Sequence, residues 1–336
     1  MVARWFMALA TMAVLAGCGG AAPPVSSSTL RSAAPSASGA LLPVKGAYTN
    51  IVAAGGPLWV AKEQGFFAQN GLDVSLASLP GSAHVPALLS GELQLASVGP
   101  TELAAADLEG ANVVAVASSA DLPTFSLFAD KKYSSVADLA GQSVGVTAIG
   151  SSSDAVAHLF LSKFGVLDKV KITPAGGTST TILAALKQGV IAGAILAQPT
   201  GAASRAGYVE LVNGVKLGVP FAQGDIIVTR AYAKEHPDVV KSYLRAYVQA
   251  WRFASDPANK AAMVKIFQKY TSQDAAVSEE GYAAQLPVWQ LTRTPAVNAE
   301  AFGNTLTFGS SDKIKGVDPK QFFDNSYIEE VAAQLK

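Results

Sequence analysis

The chain has 336 residues, of which 50% are hydrophobic and 15% charged, with a formal net charge of zero. That balance suits a compact globular protein and excludes a disordered one. Lys131-Lys132 is its only adjacent basic pair, which excludes the clustered basic face that nucleic-acid binding requires. One cysteine, Cys18, excludes an internal disulfide.

In chain order, Arg4 supplies a positive n-region, Trp5 to Leu15 a short apolar h-region, and small residues precede Cys18. Together these read as a secretory signal over 1–17, too short for a permanent membrane helix. The run Leu15-Ala16-Gly17-Cys18 resembles the bacterial lipobox, which implies acylation of Cys18 at the start of the mature chain. Removing Arg4 with the signal leaves 24 basic and 25 acidic side chains. Residues 18–43 are Ala/Ser/Pro/Gly-rich and without periodicity, so they read as a lipidated cysteine and a disordered tether. As a flexible coil, about 25 residues would span on the order of 25–30 Å.

The rest alternates strand and helix patterns. Asp73 to Leu79 and Ser143 to Thr147 read as strands. Val156, Leu159, Phe160 and Phe164 fall at helical spacing within 154–164. A longer helix opens at His236-Pro237-Asp238, buries Val240, Tyr243, Leu244, Tyr247, Val248 and Trp251, and stops before Asp256-Pro257. Pro319 to Leu335 reads as a final docking helix. A weak internal echo joins ALLSGELQLA (87–96), followed by Pro100-Thr101, to ALKQGVIAGA (185–194), followed by Pro199-Thr200. Each copy reads as a helix ending near the Gly, a short strand, and a turn at the Pro, as two similarly built α/β lobes would show.

Four segments carry a resemblance to a known family: GGPLWVAKEQGFFAQNGLDV (55–74), LPGSAHVPALLSGELQLASVGPTE (79–102), GQSVGVTAIGSSSDAVAHLFL (141–161) and TRAYAKEHPDVVKSYLRAYVQAW (229–251). In order and spacing the chain resembles the nitrate/sulfonate/taurine-type solute-binding proteins of bacterial ABC importers, a group that includes thiamine-pyrimidine-precursor binders. The resemblance implies an α/β, two-lobed periplasmic-binding-protein-like fold of type II, with ligand in the interlobe cleft. It places lobe 1 at 44–126 and 224–336, lobe 2 at 127–223, and two crossover strands near Thr124–Ala129 and Ala222–Thr229. Sulfonate-type members tend to carry an aromatic and an acidic residue before the Pro turn of the second lobe. Here that stretch is Ala197-Gln198-Pro199-Thr200, which departs from the sulfonate pattern but not from the binding-protein class.

Small polar residues at strand-to-helix turns are the candidate site. Gly150-Ser151-Ser152-Ser153-Asp154, Gly81-Ser82, Gly99-Pro100-Thr101 and Gly177-Thr178-Ser179 all open helices. Backbone N–H groups and the helix dipole make such ends anion sites without a charged side chain. The same Ser and Thr residues are also the commonest N-caps, and one hydroxyl can cap while backbone amides bind. Tyr48 and Asn50 end the first strand, where open α/β sheets place ligands. Trp59, Phe125 and Trp289 also fall near the cleft edges, with Trp59 read as core. The candidate ligand set is Tyr48, Asn50, Gly56, Ser82, Gly99, Thr101, Ser151, Ser152, Ser153, Thr178 and Gln198, with Cys18 the lipidation site.

Catalysis is not expected. No G-x-S-x-G elbow, phosphate loop or H-E-x-x-H pair occurs. The three histidines, His84, His158 and His236, have no spacing for shared ligation, so neither metal nor cofactor is expected. The sequence therefore points to an extracytoplasmic, lipid-anchored, monomeric binder of a small anion such as a sulfonate, nitrate or carboxylate. Lobe closure would deliver the ligand to an ABC permease. The alternatives are a sensor presenting its bound state to a signalling receptor, or a binder of a neutral thiamine-pyrimidine precursor.

Overall fold

The computed structural model describes residues 40–49 and 53–335; Cys18, the signal, most of the tether and Asn50 lie outside them. Ten strands run in chain order as β1 (Leu42–Tyr48), β2 (Leu72–Ser78), β3 (Leu95–Val98), β4 (Val113–Ala120), β5 (Phe125–Ala129), β6 (Ser143–Val146), β7 (Lys171–Pro174), β8 (Gly193–Ala197), β9 (Val209–Asn213) and β10 (Gly224–Thr229). They form two five-stranded sheets, ordered β2-β1-β3-β10-β4 and β7-β6-β8-β5-β9.

The two sheets share one plan. In each, three strands run parallel, as helical crossovers dictate. The fourth place goes to a strand antiparallel to both neighbours, β10 between β3 and β4, and β5 between β8 and β9. These two are the first strands after each passage between the sheets. The passages are tied together: Phe221 N–H donates to Asp121 O at 2.8 Å, and Gln223 N–H to Ala120 O at 3.0 Å.

The echo is structural. The Gly81–Leu89 helix leads to β3 and the Pro100–Leu108 helix, and the Ser179–Lys187 helix leads to β8 and the Gly201–Arg205 helix. Both first helices end at a left-handed glycine, Gly91 at φ +76° and Gly189 at φ +70°. Gly91 N–H donates to Leu88 O and Gly189 N–H to Leu186 O, closing the last turn where only glycine is unstrained.

Helices cover both faces of each sheet, leaving four apolar clusters. On one face of the first sheet, Tyr243, Tyr247 and Trp251 of the Pro237–Ser255 helix pack with Trp59, Phe267 and Trp289. Trp251 Nε1 donates to the carbonyls of Trp289 and Thr292 at 3.0 and 2.8 Å, so its polar edge is satisfied. Trp289, which the sequence put near the cleft edge, is wholly buried here with Trp59. The periodicity of that long helix thus located the core.

The chain end departs from expectation. Instead of one docking helix there is a 3-10 turn at Pro319–Phe322, an extended break, and a helix at Ser326–Gln334. The break exists because Phe323 pairs with Ala115 of β4, and Asp324 N–H donates to Ala115 O at 2.8 Å. Edge strand β4 gains cover for its exposed backbone groups, which explains why it is buried almost throughout.

Candidate functional site

The carboxyl ends of β3 and β6 each feed a helix whose first turn meets the other. From the first sheet comes the Pro100–Leu108 helix, with Gly99 as its N-cap; from the second comes the Ser152–Lys163 helix, with Ser151 as its N-cap. Thr101, 3% exposed, has its Oγ1 3.0 Å from Gly150 O across the divide and 3.0 Å from Glu102 Oε2. Ser152 Oγ donates to Gln223 O at 3.3 Å, on the returning passage. A Cβ on Gly99 would lie 2.5 Å from Ser152 Oγ and would also clash with Glu102 Oε2. Glycine is needed there for close approach rather than for its backbone angles.

The Gly-Ser-Ser-Ser turn is knitted to itself. Thr147 Oγ1, Ser151 Oγ and Ser153 Oγ lie mutually within 2.8–3.0 Å. Ser153 Oγ also accepts from Thr147 N–H at 2.9 Å, and Ser151 Oγ donates to Ala148 O at 2.7 Å. Ser151 is a true N-cap, accepting from Asp154 N–H at 3.4 Å. The structure thus brings together Gly99, Thr101, Ser151, Ser152 and Ser153.

The other expected residues make no hydrogen bond to this junction, although a Cβ on Gly81, next to Ser82, would lie 4.0 Å from Glu102 Oε1. Ser82 is exposed in the first turn of its helix. Thr178 is an exposed N-cap in a reciprocal box with Thr181. Gln198 is buried, its Nε2 donating to Ser126 Oγ at 2.8 Å and its Oε1 accepting from Thr200 Oγ1 at 3.3 Å. Gly56 is a packing glycine, since a Cβ would meet Phe267 at 2.9 Å and Trp289 at 3.1 Å. Tyr48 ends β1 with its ring edge-on to Trp59 at 5.8 Å, and burial raises its phenol pKa.

Sequence reasoning missed the acidic residues around the junction. Burial raises the Glu102 pKa, with bonds from its own backbone and Thr101 opposing the shift. Asp225 on β10 is fully buried, and neither carboxyl oxygen has a partner. Burial, then the nearby Asp121, push its pKa well above the carboxylate range. Asp121 is raised by burial while accepting from Ser118 Oγ at 2.8 Å. Glu102 was visible as the third residue of a helix, but nothing in the string shows its carboxyl lying beside Gly99, where Ser152 of the other side also approaches. Among the described residues no group of three His, Cys, Asp or Glu could hold a metal, and no helix is long and apolar enough to cross a membrane. Two shallow surface depressions, one beside Leu42 and Lys45 and one beside Leu88 and Asn112, lie at the opposite end of the first sheet's strands.

The family model for NMT1/THI5-like proteins matches residues 54–261, spanning both sheets. The chain belongs to the NMT1/THI5-like family. It is 25% identical over 225 residues to the formylaminopyrimidine-binding protein of Halalkalibacterium halodurans, covering 65% of this chain and 67% of that one. Its fold matches the periplasmic aliphatic sulphonate binding protein of Escherichia coli, with a TM-score of 0.67, 20% identity, and coverage of 84% and 97%. It also matches the periplasmic nitrate-binding protein of Synechocystis PCC 6803, with a TM-score of 0.67, 13% identity, and coverage of 88% and 89%. The resemblance to ABC-type substrate-binding proteins read from the sequence is borne out, as is the periplasmic-binding-protein fold.

Proposed function

We propose that this NMT1/THI5-like protein is the extracytoplasmic solute-binding component of an ABC importer. It holds one small solute of the sulfonate, nitrate or pyrimidine-precursor kind between its two sheets and presents the closed form to a permease. Hinge closure around a ligand is the general mode of such two-lobed binders. The observation that carries this reading is the junction itself. Thr101 reaches across to the Gly150 carbonyl and Ser152 to the Gln223 carbonyl of the returning passage, at the carboxyl ends of the strands, where open α/β sheets bind ligands. Acylated Cys18 and a tether that ends where β1 begins at Leu42, two residues short of the expected bound at 43, would hold the domain at the membrane surface.

Binding without turnover is the second half of the proposal: among the described residues no junction hydroxyl is bonded to a histidine, and the one bonded to a carboxyl, Thr101, is shared with the Gly150 carbonyl. A thermal-shift screen of nitrate, ethanesulfonate, benzoate and N-formyl aminopyrimidine tests it. A true ligand at 100 times its dissociation constant adds ~2.7 kcal/mol. The hit should be recovered unchanged by mass spectrometry after long incubation. A reproducible chemical conversion would replace the binding-protein reading with an enzyme.

A further inference from the structure

The Ala275–Trp289 helix carries three buried polar groups in one stripe. Ser278, Gln285 and Trp289 follow one another at spacings of seven and four, which places them on a single face. All three are buried, and among the described residues Ser278 Oγ, both amide atoms of Gln285 and Trp289 Nε1 have no hydrogen-bond partner. Gln198 is the contrast, also buried but bonded at its amide nitrogen and its amide oxygen. A buried amide without partners is costly, and folded interiors rarely keep one.

Helical geometry fixes what this stripe faces. Gly281 stands one turn before Gln285, and a Cβ there would lie 3.4 Å from Ala53 Cβ and 3.5 Å from Phe267 Cδ2. Trp289 stands one turn after, with its ring 3.1 Å from a Cβ placed on Gly56. Gln285 therefore lies over the turn 53–56, which leads from the carboxyl end of β1 into the Gly56–Glu63 helix. Tyr48 closes that strand, and strand ends of this kind are where open α/β sheets bind ligands. The same helix also touches the other sheet's side. Glu280 Oε2 accepts from Arg205 Nη1 at 3.3 Å, on the Gly201–Arg205 helix that follows β8.

Packing does not explain the glycine at 281. The contacts its Cβ would make are of ordinary length, and a helix interior disfavours glycine against alanine. What glycine does there is keep free the place of a methyl group, on the face between Ser278 and Gln285.

We infer that this face is a wall of the solute site: Gln285 hydrogen-bonds the solute, Ser278 is a second contact, and Gly281 gives the space that admits it. The inference rests on the solute-binding reading above and adds to it contacts outside the Thr101–Ser152 junction. The Gln285 amide supplies an acceptor and two donors, and Ser278 a hydroxyl that does either, so the wall meets solute groups of both senses.

The test uses the full chain and Gln285→Met, which removes the amide and keeps an unbranched side chain of similar length. The probes are nitrate, ethanesulfonate, benzoate and N-formyl aminopyrimidine, and calorimetry reads the affinity of each one that stabilises wild type. Without a probe, Gln285→Met should melt no lower than wild type, because an apolar side chain of the same shape replaces a group that had no partner. With a probe, affinity should fall about tenfold or more, since the probe's own polar group is left unpaired. Gly281→Ala should likewise melt no lower and bind more weakly, because the methyl fills the space. Undiminished affinity in either variant would overturn the inference. So would a clear drop in the probe-free melting temperature of Gln285→Met, which would assign the amide to the fold. Failure of the underlying reading looks different: no probe then stabilises wild type, and this inference goes with it.

Discussion

Gly99→Ala is the most direct perturbation of closure. The Gly99 backbone sits at φ −73°, ψ 151°, an extended conformation that alanine adopts freely, so no backbone strain is introduced. The added Cβ would lie 2.5 Å from Ser152 Oγ, against roughly 3.5 Å for an unstrained contact. Glu102 can swing its carboxyl away, but with Ser152 kept in the rotamer that bonds Gln223 O the second sheet must withdraw by about 1 Å. That movement carries Thr101 Oγ1···Gly150 O and Ser152 Oγ···Gln223 O, now 3.0 and 3.3 Å, beyond hydrogen-bonding distance. Two bonds at about 0.5–1.5 kcal/mol each disfavour the closed form by roughly 1–3 kcal/mol. Affinity for any cleft ligand should therefore fall roughly 5- to 150-fold. Calorimetry reads the affinity, and small-angle scattering should show a larger radius of gyration. Adding Ser152→Ala removes the clashing oxygen and should restore part of the loss. Unchanged affinity and scattering in Gly99→Ala would refute the claim that this contact belongs to the closed, ligand-holding state.

Asp225→Asn should raise the melting temperature above about pH 6 and leave it nearly unchanged near pH 4. The folded state keeps a proton on Asp225 that the unfolded chain loses near pH 4, so wild-type stability falls as pH rises from there toward the folded pKa. A gain that does not grow with pH would remove the buried charge as its cause. Gly91→Ala and Gly189→Ala should each cost about 1 kcal/mol in thermal unfolding, because both sit at positive φ with open space around them. A loss several times larger would mean that packing, rather than backbone conformation, selects glycine there. Cys18→Ser should move the protein from the membrane pellet to the soluble fraction, and retention in the pellet would show that something other than an acyl chain holds it.

What the sequence determined by itself was the architecture, through signals that are local. Apolar residues at three-four spacing marked the Pro237–Ser255 helix and its buried face, because helical geometry maps spacing directly onto one side. The echoed Ala-Leu-x-x-Gly segments marked equivalent units in the two sheets, because a helix stop at positive φ calls for glycine. Ser151 was readable as a cap, since capping depends on neighbours in the chain. Tertiary structure alone decided the rest. Gly56 was drawn into the aromatic core and Gln198 into a side-chain network, outcomes set by residues far away in sequence. The C-terminal helix was split because the edge of β4 needed a partner. The placing of the buried acids was likewise a tertiary matter. Glu102 is an ordinary helix-opening acid in the string, and only the approach of Ser152 to Gly99 sets its carboxyl at the junction of the two sheets, with Asp225 fully buried on β10.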